Sequence, residues 1–349
     1  MNKTSLTKAG VLTLVLVAVA VAAWEIYVRN KGYETTYDDN PALWADKRAM
    51  IYEPADKATV FIGSSRIKFD LDIPLWEKTT GEHAVQLACV GSSPRPILDD
   101  LANDKNFKGK LVIDVTEVLF FDYSPHSTET PDENIKYYKD RTPAQRASFK
   151  VNHLLESQFA FLDKERLSLN AKLDKLSIPN RKGVFKFPIF PDDFGRVRFD
   201  RQEFMTEKFA ADTNLQNQVK GIWDFFRKMS KDPPASGGKL DSIIASVKVS
   251  VDKIKARGGQ VIFVRTPSSG GFLMGEKMGY PREKYWDRLL AETHCPGIHF
   301  ADYPAIDHFE CPELSHLKQS DALIFTENFI KILHEEKGWN FSLLPAPVK

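Results

Sequence analysis

The chain has 349 residues, of which 42% are hydrophobic and 27% are charged. This is the composition of a folded globular protein, long enough for one large domain or two ordinary ones. It carries 48 basic and 47 acidic residues, for a formal net charge of +1. Because nucleic-acid-binding proteins usually carry a clear basic excess, this balance gives no support for a nucleic-acid partner.

The first 28 residues have the pattern of a membrane anchor. Residues Ala9–Trp24 are apolar apart from Thr13, and Ile26–Val28 extend the run to about 20 residues, the length that spans a bilayer as a helix. Lysines precede the run, so the positive-inside rule keeps the N-terminus in the cytoplasm and exports the rest. A cleaved signal peptide is the alternative. We favour the anchor because the apolar run is longer than a usual signal core, and we expect a single-pass bacterial inner-membrane protein with a periplasmic domain.

The next part of the chain, residues 29–57, is predicted to be a connector with a short helix at 41–52. Beyond it, short apolar runs alternate with amphipathic patterns. The predicted strands are 59–62, 84–89, 111–115, 261–265 and 298–301, and the predicted helices are 95–101, 240–256, 282–292 and 320–334. This alternation is typical of a parallel sheet covered on both faces. It predicts an α/β domain over residues 58–336, followed by a C-terminal tail at 337–349.

Residues 120–238 interrupt this alternation. They contain long polar helical stretches, 142–175 and 203–231, and end in a loop rich in proline and glycine. We interpret them as a largely helical insertion that caps the ligand crevice, because insertions at the carboxyl ends of parallel strands lie beside it. The alternative is a satellite helical bundle with no part in binding.

The chain has three cysteines, Cys89, Cys295 and Cys311. In an oxidising compartment Cys295 and Cys311 are the natural pair for a disulfide, with free thiols throughout as the alternative. Cys89 lies in an apolar run and is expected to be a small buried residue. No group of histidines and cysteines has the spacing of a zinc site, and we expect neither a metal nor a cofactor.

A strand-like run ends at Gly63 and is followed at once by Ser64 and Ser65. Parallel sheets display nucleophiles at the carboxyl ends of strands, and glycine there lets the backbone approach a substrate. Ser65 is therefore our candidate nucleophile, and its backbone N–H is a candidate oxyanion donor. The alternative is that both serines only cap the following helix.

The candidate base is His316, which precedes a predicted helix. Glu313, three residues earlier, can reach the imidazole Nδ1 and hold the tautomer that a general base needs. The alternatives are a surface histidine on a turn, and Asp302 or Asp307 as the acid.

Other polar positions follow the ends of predicted strands. Gly91 can offer a second oxyanion N–H, although a tight strand-to-helix turn explains this glycine equally well, and Ser92 and Ser93 can cap the helix that follows. Arg66 and Arg265 can bind an anionic group of a substrate. For Arg265 we favour pairing with local carboxylates.

These segments resemble blocks of the SGNH, or GDSL-like, hydrolase superfamily. Residues Phe61–Arg66 are similar to its first block, with serine at position 64 in place of the usual aspartate. Leu87–Ser93 resembles the second block with its oxyanion glycine, and Glu313–Leu317 resembles the last block, usually Asp-x-x-His. The resemblance covers residues 58–119 and 239–336. It implies a flavodoxin-like three-layer α/β/α fold with Ser65, His316 and Glu313 as the triad.

The third block departs from the family pattern. It normally carries Gly-x-Asn, whose asparagine donates to the oxyanion, whereas this chain has Asp114-Val115-Thr116-Glu117. The hydroxyl of Thr116 is a candidate donor, and an ionised Glu117 cannot donate. The loss of one oxyanion donor costs about 10²–10³ in rate.

Together, the residues and the resemblance predict an exported, membrane-anchored serine esterase or O-acyltransferase. The resemblance suggests an acylated cell-envelope polysaccharide or a small ester as the substrate. The alternative is a non-catalytic binding or assembly protein on a degenerate SGNH fold. A mononucleotide-binding protein also suits the sheet but would need a glycine-rich phosphate loop, which is not apparent.

Overall fold

The protein was analysed as a computed structural model that describes residues 3–174, 176, 188–230 and 232–345. The chain divides into two compact units. Unit 1 contains residues up to Asp38 together with Thr142–Lys186, and unit 2 contains Asp39–Arg141 and the chain from Phe187 onward. The insertion predicted at 120–238 is thus divided between the two units, and its residues 175, 177–187 and 231 lie outside the described residues.

Unit 2 is built on a five-stranded sheet in which all neighbouring strands are parallel. The strands of the protein are β1 Ala58–Ile62, β2 His83–Gln86, β3 Lys110–Asp114, β4 Arg196–Val197, β5 Glu203–Phe204, β6 Gln260–Arg265 and β7 Gly297–His299. The sheet order is β2-β1-β3-β6-β7, while β4 and β5 form a separate antiparallel pair. All five strands of this sheet were predicted from their apolar runs, with ends that differ by up to three residues.

Helices connect the strands and make up unit 1. They are α1 Lys3–Asn30, α2 Pro41–Arg48, α3 Ser65–Asp70, α4 Ile73–Thr80, α5 Arg95–Asn103, α6 Glu117–Phe120, α7 Glu129–Asp140, α8 Pro143–Glu156, α9 Lys164–Leu167, α10 Leu169–Asp174, α11 Glu207–Ala211, α12 Thr213–Met229, α13 Gly238–Lys255, α14 Gly270–Gly279, α15 Arg288–Thr293 and α16 Gln319–Lys331. Short π-helical turns precede α15 and follow α16. The predicted helices are present, whereas α3, α4, α6, α7 and α14 were not predicted.

The sheet is buried on both faces, as its nearly continuous apolar strands predict. Along β1, Val60 and Ile62 join one core cluster, whereas Phe61 joins the other. Helices α5 and α13 contribute to the first cluster, and α4 and α16 contribute to the second. The prediction of a parallel sheet flanked by helices is therefore confirmed.

The cysteines are free and buried, and the predicted bridge between Cys295 and Cys311 is not formed. Cys295 lies in the first core cluster and Cys311 lies in the second. Because these clusters pack on opposite faces of the sheet, the sheet separates the two thiols. Burial also raises the pKa of the Cys311 thiol well above its usual value. The proximity of Cys295 and Cys311 in the sequence therefore did not predict a disulfide correctly.

The segment predicted as a C-terminal tail contributes to the core. Trp339 and Phe341 are buried in the second cluster. The backbone N–H of Leu343 donates to the carbonyl of Thr80 at 3.2 Å. The packed part of unit 2 therefore extends to Leu344, beyond the predicted boundary at 336.

Unit 1 contains α1, the connector up to residue 38 and helices α8–α10. Within α1, the span Ser5–Asn30 has a mean hydropathy of 2.3 in its most apolar stretch, and it is long and apolar enough to cross a membrane. The polar stretch predicted at 142–175 is broken into the three helices α8, α9 and α10 rather than one long helix.

Candidate active site

The turn after β1 presents Ser65 at the first residue of α3, where its side chain is half-buried. Ser64 is the N-cap of this helix, and its hydroxyl accepts a hydrogen bond from the backbone N–H of Arg66 at 3.4 Å. Gly63 is required by close packing, because a Cβ atom there would lie 2.5 Å from the Cβ of Asp114. The capping role that we considered for both serines thus falls to Ser64, and the Ser65 hydroxyl is left for other contacts.

The segment Glu313–His316 forms a tight loop before α16. Leu314 has a φ of +82°, a left-handed conformation that is rare for a bulky residue and carries strain. This conformation lets the chain fold back, so that Oε1 of Glu313 accepts backbone N–H groups from Ser315 at 3.3 Å and from His316 at 2.7 Å. The carboxylate is therefore fixed against its own loop.

Ser65, His316 and Glu313 lie in one line of hydrogen bonds. Nδ1 of His316 is 2.9 Å from Oε1 of Glu313, and Nε2 is 2.8 Å from Oγ of Ser65. Glu313 and the imidazole are buried. A proton on Nδ1 donates to the carboxylate, so Nε2 is free to accept the proton of the Ser65 hydroxyl. This is the geometry of an activated nucleophile with an oriented base.

An aromatic cluster surrounds the imidazole of His316. The ring of Phe69 lies 4.4 Å away, and those of Phe194 and Trp223 lie at 5.7 and 6.1 Å between centroids. The indole Nε1 of Trp223 also donates to Oε2 of Glu313 at 2.6 Å. Phe194 and Trp223 belong to the predicted insertion, so part of its portion in unit 2 contacts the imidazole.

The backbone supplies two candidate oxyanion donors. In the described part of the chain, the backbone N–H groups of Ser65 and Gly91 donate no hydrogen bond. Beyond β2, the backbone N–H of Cys89 donates to the carbonyl of Gly63 at 3.2 Å. This hydrogen bond places the chain that leads to Gly91 at the same edge of the sheet as Ser65. Gly91 has a φ of +62°, which favours glycine.

The third candidate donor, Thr116, is already engaged in hydrogen bonds. Its hydroxyl lies 3.1 Å from Oδ2 of Asp114 and 2.7 Å from Oγ of Ser64. Asp114 is fully buried, and desolvation raises the pKa of its carboxyl. The residues in place of Gly-x-Asn therefore support the Ser64 turn, and the Thr116 hydroxyl would have to leave Asp114 to reach an oxyanion.

Arg66 and Arg265 are buried in one ionic network. Glu276 of α14 pairs with both guanidinium groups. Arg66 Nε also donates to Oγ of Ser315 at 3.2 Å, and Arg265 Nε donates to Glu117 at 3.1 Å. Burial opposes ionisation of Glu276, but the two arginines outweigh it and lower the pKa of this carboxyl. Arg265 pairs with local carboxylates as favoured, and Arg66, predicted to bind substrate, is held in the same network.

A second buried acid, Asp70, lies behind the histidine loop. Its Oδ1 accepts the backbone N–H of Leu317 at 2.9 Å, and Oδ2 finds no partner among the described residues. Desolvation is the largest effect on this carboxyl and raises its pKa to about 7. The fold therefore holds Asp70 largely protonated below neutral pH.

The other acids considered for the triad lie elsewhere. Asp302 forms a two-pronged ion pair with Arg282, with distances of 2.6 and 2.8 Å. Asp307 is exposed, 4.0 Å from Nδ1 of His308. Ser92 and Ser93 were predicted to cap α5, but the N-cap of this helix is Pro94. Ser93 accepts the backbone N–H of Arg95 at 3.4 Å, and the Ser92 hydroxyl donates to the carbonyl of Val90 at 3.0 Å.

Because comparisons with protein families and curated proteins found no match, the proposed function rests on the geometry of the site. No protein-family model matches the sequence, and no curated protein matches it. Within the described ranges there is no group of three or more His, Cys, Asp or Glu side chains that could hold a metal ion.

Sequence reasoning missed Trp223, Asp70 and Glu276. A signal for Trp223 was present, because Leu215, Val219, Ile222, Trp223 and Phe226 recur at helical spacing and predict an apolar face. This spacing indicates burial, but it does not identify the partner of the indole N–H. Nothing near Asp70 or Glu276 in the sequence marks either carboxyl as buried.

Proposed function

We propose that unit 2 is an SGNH-like serine esterase or O-acyltransferase. The proposal rests on two consecutive hydrogen bonds. Oε1 of Glu313 lies 2.9 Å from Nδ1 of His316, and Nε2 of His316 lies 2.8 Å from the Ser65 hydroxyl. A histidine with a purely structural role needs only one hydrogen-bond partner. His316 instead has a carboxylate at Nδ1 and the partly exposed hydroxyl of Ser65 at Nε2.

In the first half-reaction, Ser65 Oγ attacks the carbonyl carbon of an ester while His316 Nε2 takes its proton. The buried carboxylate of Glu313 stabilises the imidazolium that forms. The backbone N–H groups of Ser65 and Gly91 hold the negative charge on the carbonyl oxygen. Collapse of the tetrahedral intermediate breaks the bond to the alcohol, which receives the proton from His316 and leaves an acyl-enzyme.

In the second half-reaction, His316 removes a proton from the acceptor, which attacks the acyl-Ser65 carbonyl. Water as the acceptor gives an esterase, and a sugar or polymer hydroxyl gives an O-acyltransferase. Both outcomes return the proton to Ser65 through the same imidazole.

The topology of the sheet supports this assignment. Without the β4–β5 pair, the strand order is 2-1-3-4-5, the order of flavodoxin-like folds, whose ligands bind outside the carboxyl ends of the strands. Ser65, Gly91 and Thr116 all follow such ends. We extend the proposal to a protein held by α1 in a bacterial inner membrane with unit 2 in the periplasm, and the SGNH resemblance makes an acylated envelope polysaccharide our proposed substrate.

Hydrolysis of p-nitrophenyl acetate by the full-length protein in detergent tests this function. Substituting Ser65→Ala or His316→Ala should each lower the rate by about 10⁴-fold or more, because either change removes the activated hydroxyl. Ser64→Ala is the matched control, since the Ser64 hydroxyl faces Asp114 and Thr116, and it should retain activity. Full activity in Ser65→Ala would exclude this mechanism.

A non-catalytic binding protein on the same fold is the second candidate. The specific observation in its favour is that the Thr116 hydroxyl is bonded to Asp114, so the third block contributes no free side-chain donor in its present rotamer. Equal background rates for the wild-type protein and Ser65→Ala, in well-folded samples, would favour this candidate.

A further inference from the structure

Unit 1 joins the end of α1 to helices that lie more than a hundred residues later in the chain. The carboxylate of Glu25 accepts backbone N–H groups from Ala160 at 2.9 Å and from Phe161 at 3.2 Å. One turn further along α1, Arg29 donates to the carbonyl of Gln158 at 3.2 Å. The loop after α8 is therefore fixed to one short stretch of α1.

That stretch lies where α1 would leave the hydrocarbon of a bilayer. The apolar run of α1 is first interrupted at Glu25, directly after Trp24, which stacks on Tyr27, and such aromatic residues favour the membrane–water interface. At a rise of about 1.5 Å per residue, Glu25 and Arg29 lie within about 8 Å of Trp24 along the helix axis. Each headgroup layer is about 5–8 Å thick. The loop bonded to Glu25 and Arg29 is thus at headgroup depth.

The helices on either side of this loop expose apolar side chains. Helix α8 has no buried residue, and Leu154 is 65% exposed. In α10, Leu169 is 74% exposed. Further exposed apolar residues of the same segment are Val151, Leu155, Leu173 and Leu176. A cluster of large exposed apolar side chains on one small unit indicates an interaction surface.

Polar contacts hold these helices to the end of α1 through the connector. Thr36 donates to Asp163 at 2.9 Å and accepts from Arg166 at the same distance, within the start of α9. Lys172 of α10 donates to the hydroxyl of Tyr33 at 3.4 Å. The exposed leucines therefore stay close to the level at which the chain leaves α1.

We propose that helices α8–α10 form an interfacial membrane element, whose exposed apolar side chains enter the headgroup and upper acyl region of the bilayer that α1 crosses. Burial of apolar side chains at an interface is the driving force that holds amphipathic helices on membranes. A lipid surface fits better than a protein partner because the hydrogen bonds to Glu25 and Arg29 fix the segment at the depth of the headgroups. The proposal rests on α1 spanning the membrane and is independent of the chemistry at Ser65.

Fluorescence quenching in lipid nanodiscs tests this proposal on the full-length chain, at one copy per disc. Leu154→Cys and Leu169→Cys carry an NBD fluorophore, and the unsubstituted protein measures background labelling of the three buried native cysteines. Val249→Cys is the matched control, because Val249 is an exposed apolar residue on α13 of unit 2. Leu14→Cys reports independently whether α1 lies in lipid. Quenching is measured with lipids that carry a nitroxide either near the glycerol or at the chain end.

The proposal predicts that probes at 154 and 169 emit at shorter wavelength than the probe at 249 and lose intensity with the shallow nitroxide. The probe at 14 should be quenched by the deep nitroxide. Quenching at 14 without quenching at 154 and 169 would overturn the interfacial element while leaving the anchor intact. A blue shift at 154 and 169 without quenching would assign the surface to protein contacts and would also overturn it. Absence of quenching at 14 would remove the anchor and the proposal together.

Discussion

The indole Nε1 of Trp223 donates a 2.6 Å hydrogen bond to Oε2 of Glu313, the acid of the candidate triad. The other carboxylate oxygen, Oε1, faces His316. A residue of α12, far from the histidine loop in sequence, thus fixes the rotation of the carboxylate. This contact joins the inserted segment to the chemistry that we propose for Ser65.

Trp223→Phe should lower kcat by about tenfold and leave KM nearly unchanged. Phenylalanine keeps an aromatic ring beside His316 but removes a hydrogen bond to a charged group, worth about 1.5–3 kcal/mol, and part of this loss appears in the transition state. Steady-state kinetics on an activated ester measure the effect. Trp76→Phe is the control, because among the described residues the buried indole N–H of Trp76 has no partner. An equal loss in both variants would show a general effect of tryptophan removal and contradict the role of Trp223.

Thr116→Val should reduce stability more than activity. Its hydroxyl bonds to Asp114 and Ser64, so valine removes one buried hydrogen bond from each, which costs about 1–3 kcal/mol of unfolding free energy in total. We expect kcat/KM to change by less than about tenfold, whereas loss of an oxyanion donor would cost about 10²–10³. Chemical denaturation and ester kinetics on the same samples separate the two effects. A loss of a hundredfold without destabilisation would make Thr116 an oxyanion donor after all.

Glu276→Gln should destabilise the fold by about 3–5 kcal/mol. The substitution leaves the buried guanidinium groups of Arg66 and Arg265 without their shared carboxylate, and an uncompensated buried charge is costly. Chemical denaturation measures the free energy of unfolding. Lys277→Gln changes the exposed neighbour on the same helix and should stay within about 0.5 kcal/mol of the wild-type protein. A similar small change for Glu276→Gln would show that the network contributes little to stability.

Asp70 should make the stability of the fold depend on pH. Its pKa is raised by burial to about 7, while an unfolded aspartate has a pKa of about 3.9. Between these values the folded protein holds a proton that the unfolded chain has released. The free energy of unfolding therefore falls as pH rises through this window, by up to about 1.4 kcal/mol per pH unit.

Asp70→Asn removes this titration and keeps an acceptor for the Leu317 N–H. The variant should gain stability relative to the wild-type protein as pH rises from about 4 to about 7, and the difference should then level off. Denaturation midpoints at several pH values measure it. Asp307→Asn, at an exposed aspartate, should give a difference that does not vary with pH. A pH-independent difference for Asp70→Asn would show that its carboxyl has no raised pKa.

Local sequence patterns were sufficient to predict the candidate site residues that follow the ends of strands. Val60, Phe61 and Ile62 predicted β1, and the glycine and serines after them predicted the turn that presents Ser65. The spacing of Glu313 and His316 suggested their contact, because three residues within one loop are enough to bring carboxylate and imidazole together. The strained Leu314 that makes this contact possible has no sequence signature.

Long-range contacts could not be predicted in the same way. Trp339 and Phe341 were assigned to a tail because nothing near them indicates that they join the core, where Phe341 packs against Trp76 of α4. Cys295 and Cys311 are close in sequence but lie on opposite faces of the sheet. The division of the insertion between the two units depends on hydrogen bonds such as those of Glu25 with residues 160 and 161, which join segments more than a hundred residues apart.

Mass-spectrometric mapping of fluorophosphonate labelling on the full-length protein tests whether Ser65 is a nucleophile activated by His316. We predict a covalent adduct on Ser65 Oγ, with loss of labelling in His316→Ala and retention in Ser64→Ala, because Ser65 Oγ lies 2.8 Å from Nε2 of the imidazole, whereas the Ser64 hydroxyl bonds to Thr116. An adduct on another residue, labelling of Ser65 that does not depend on His316, or no adduct in a folded sample would contradict it.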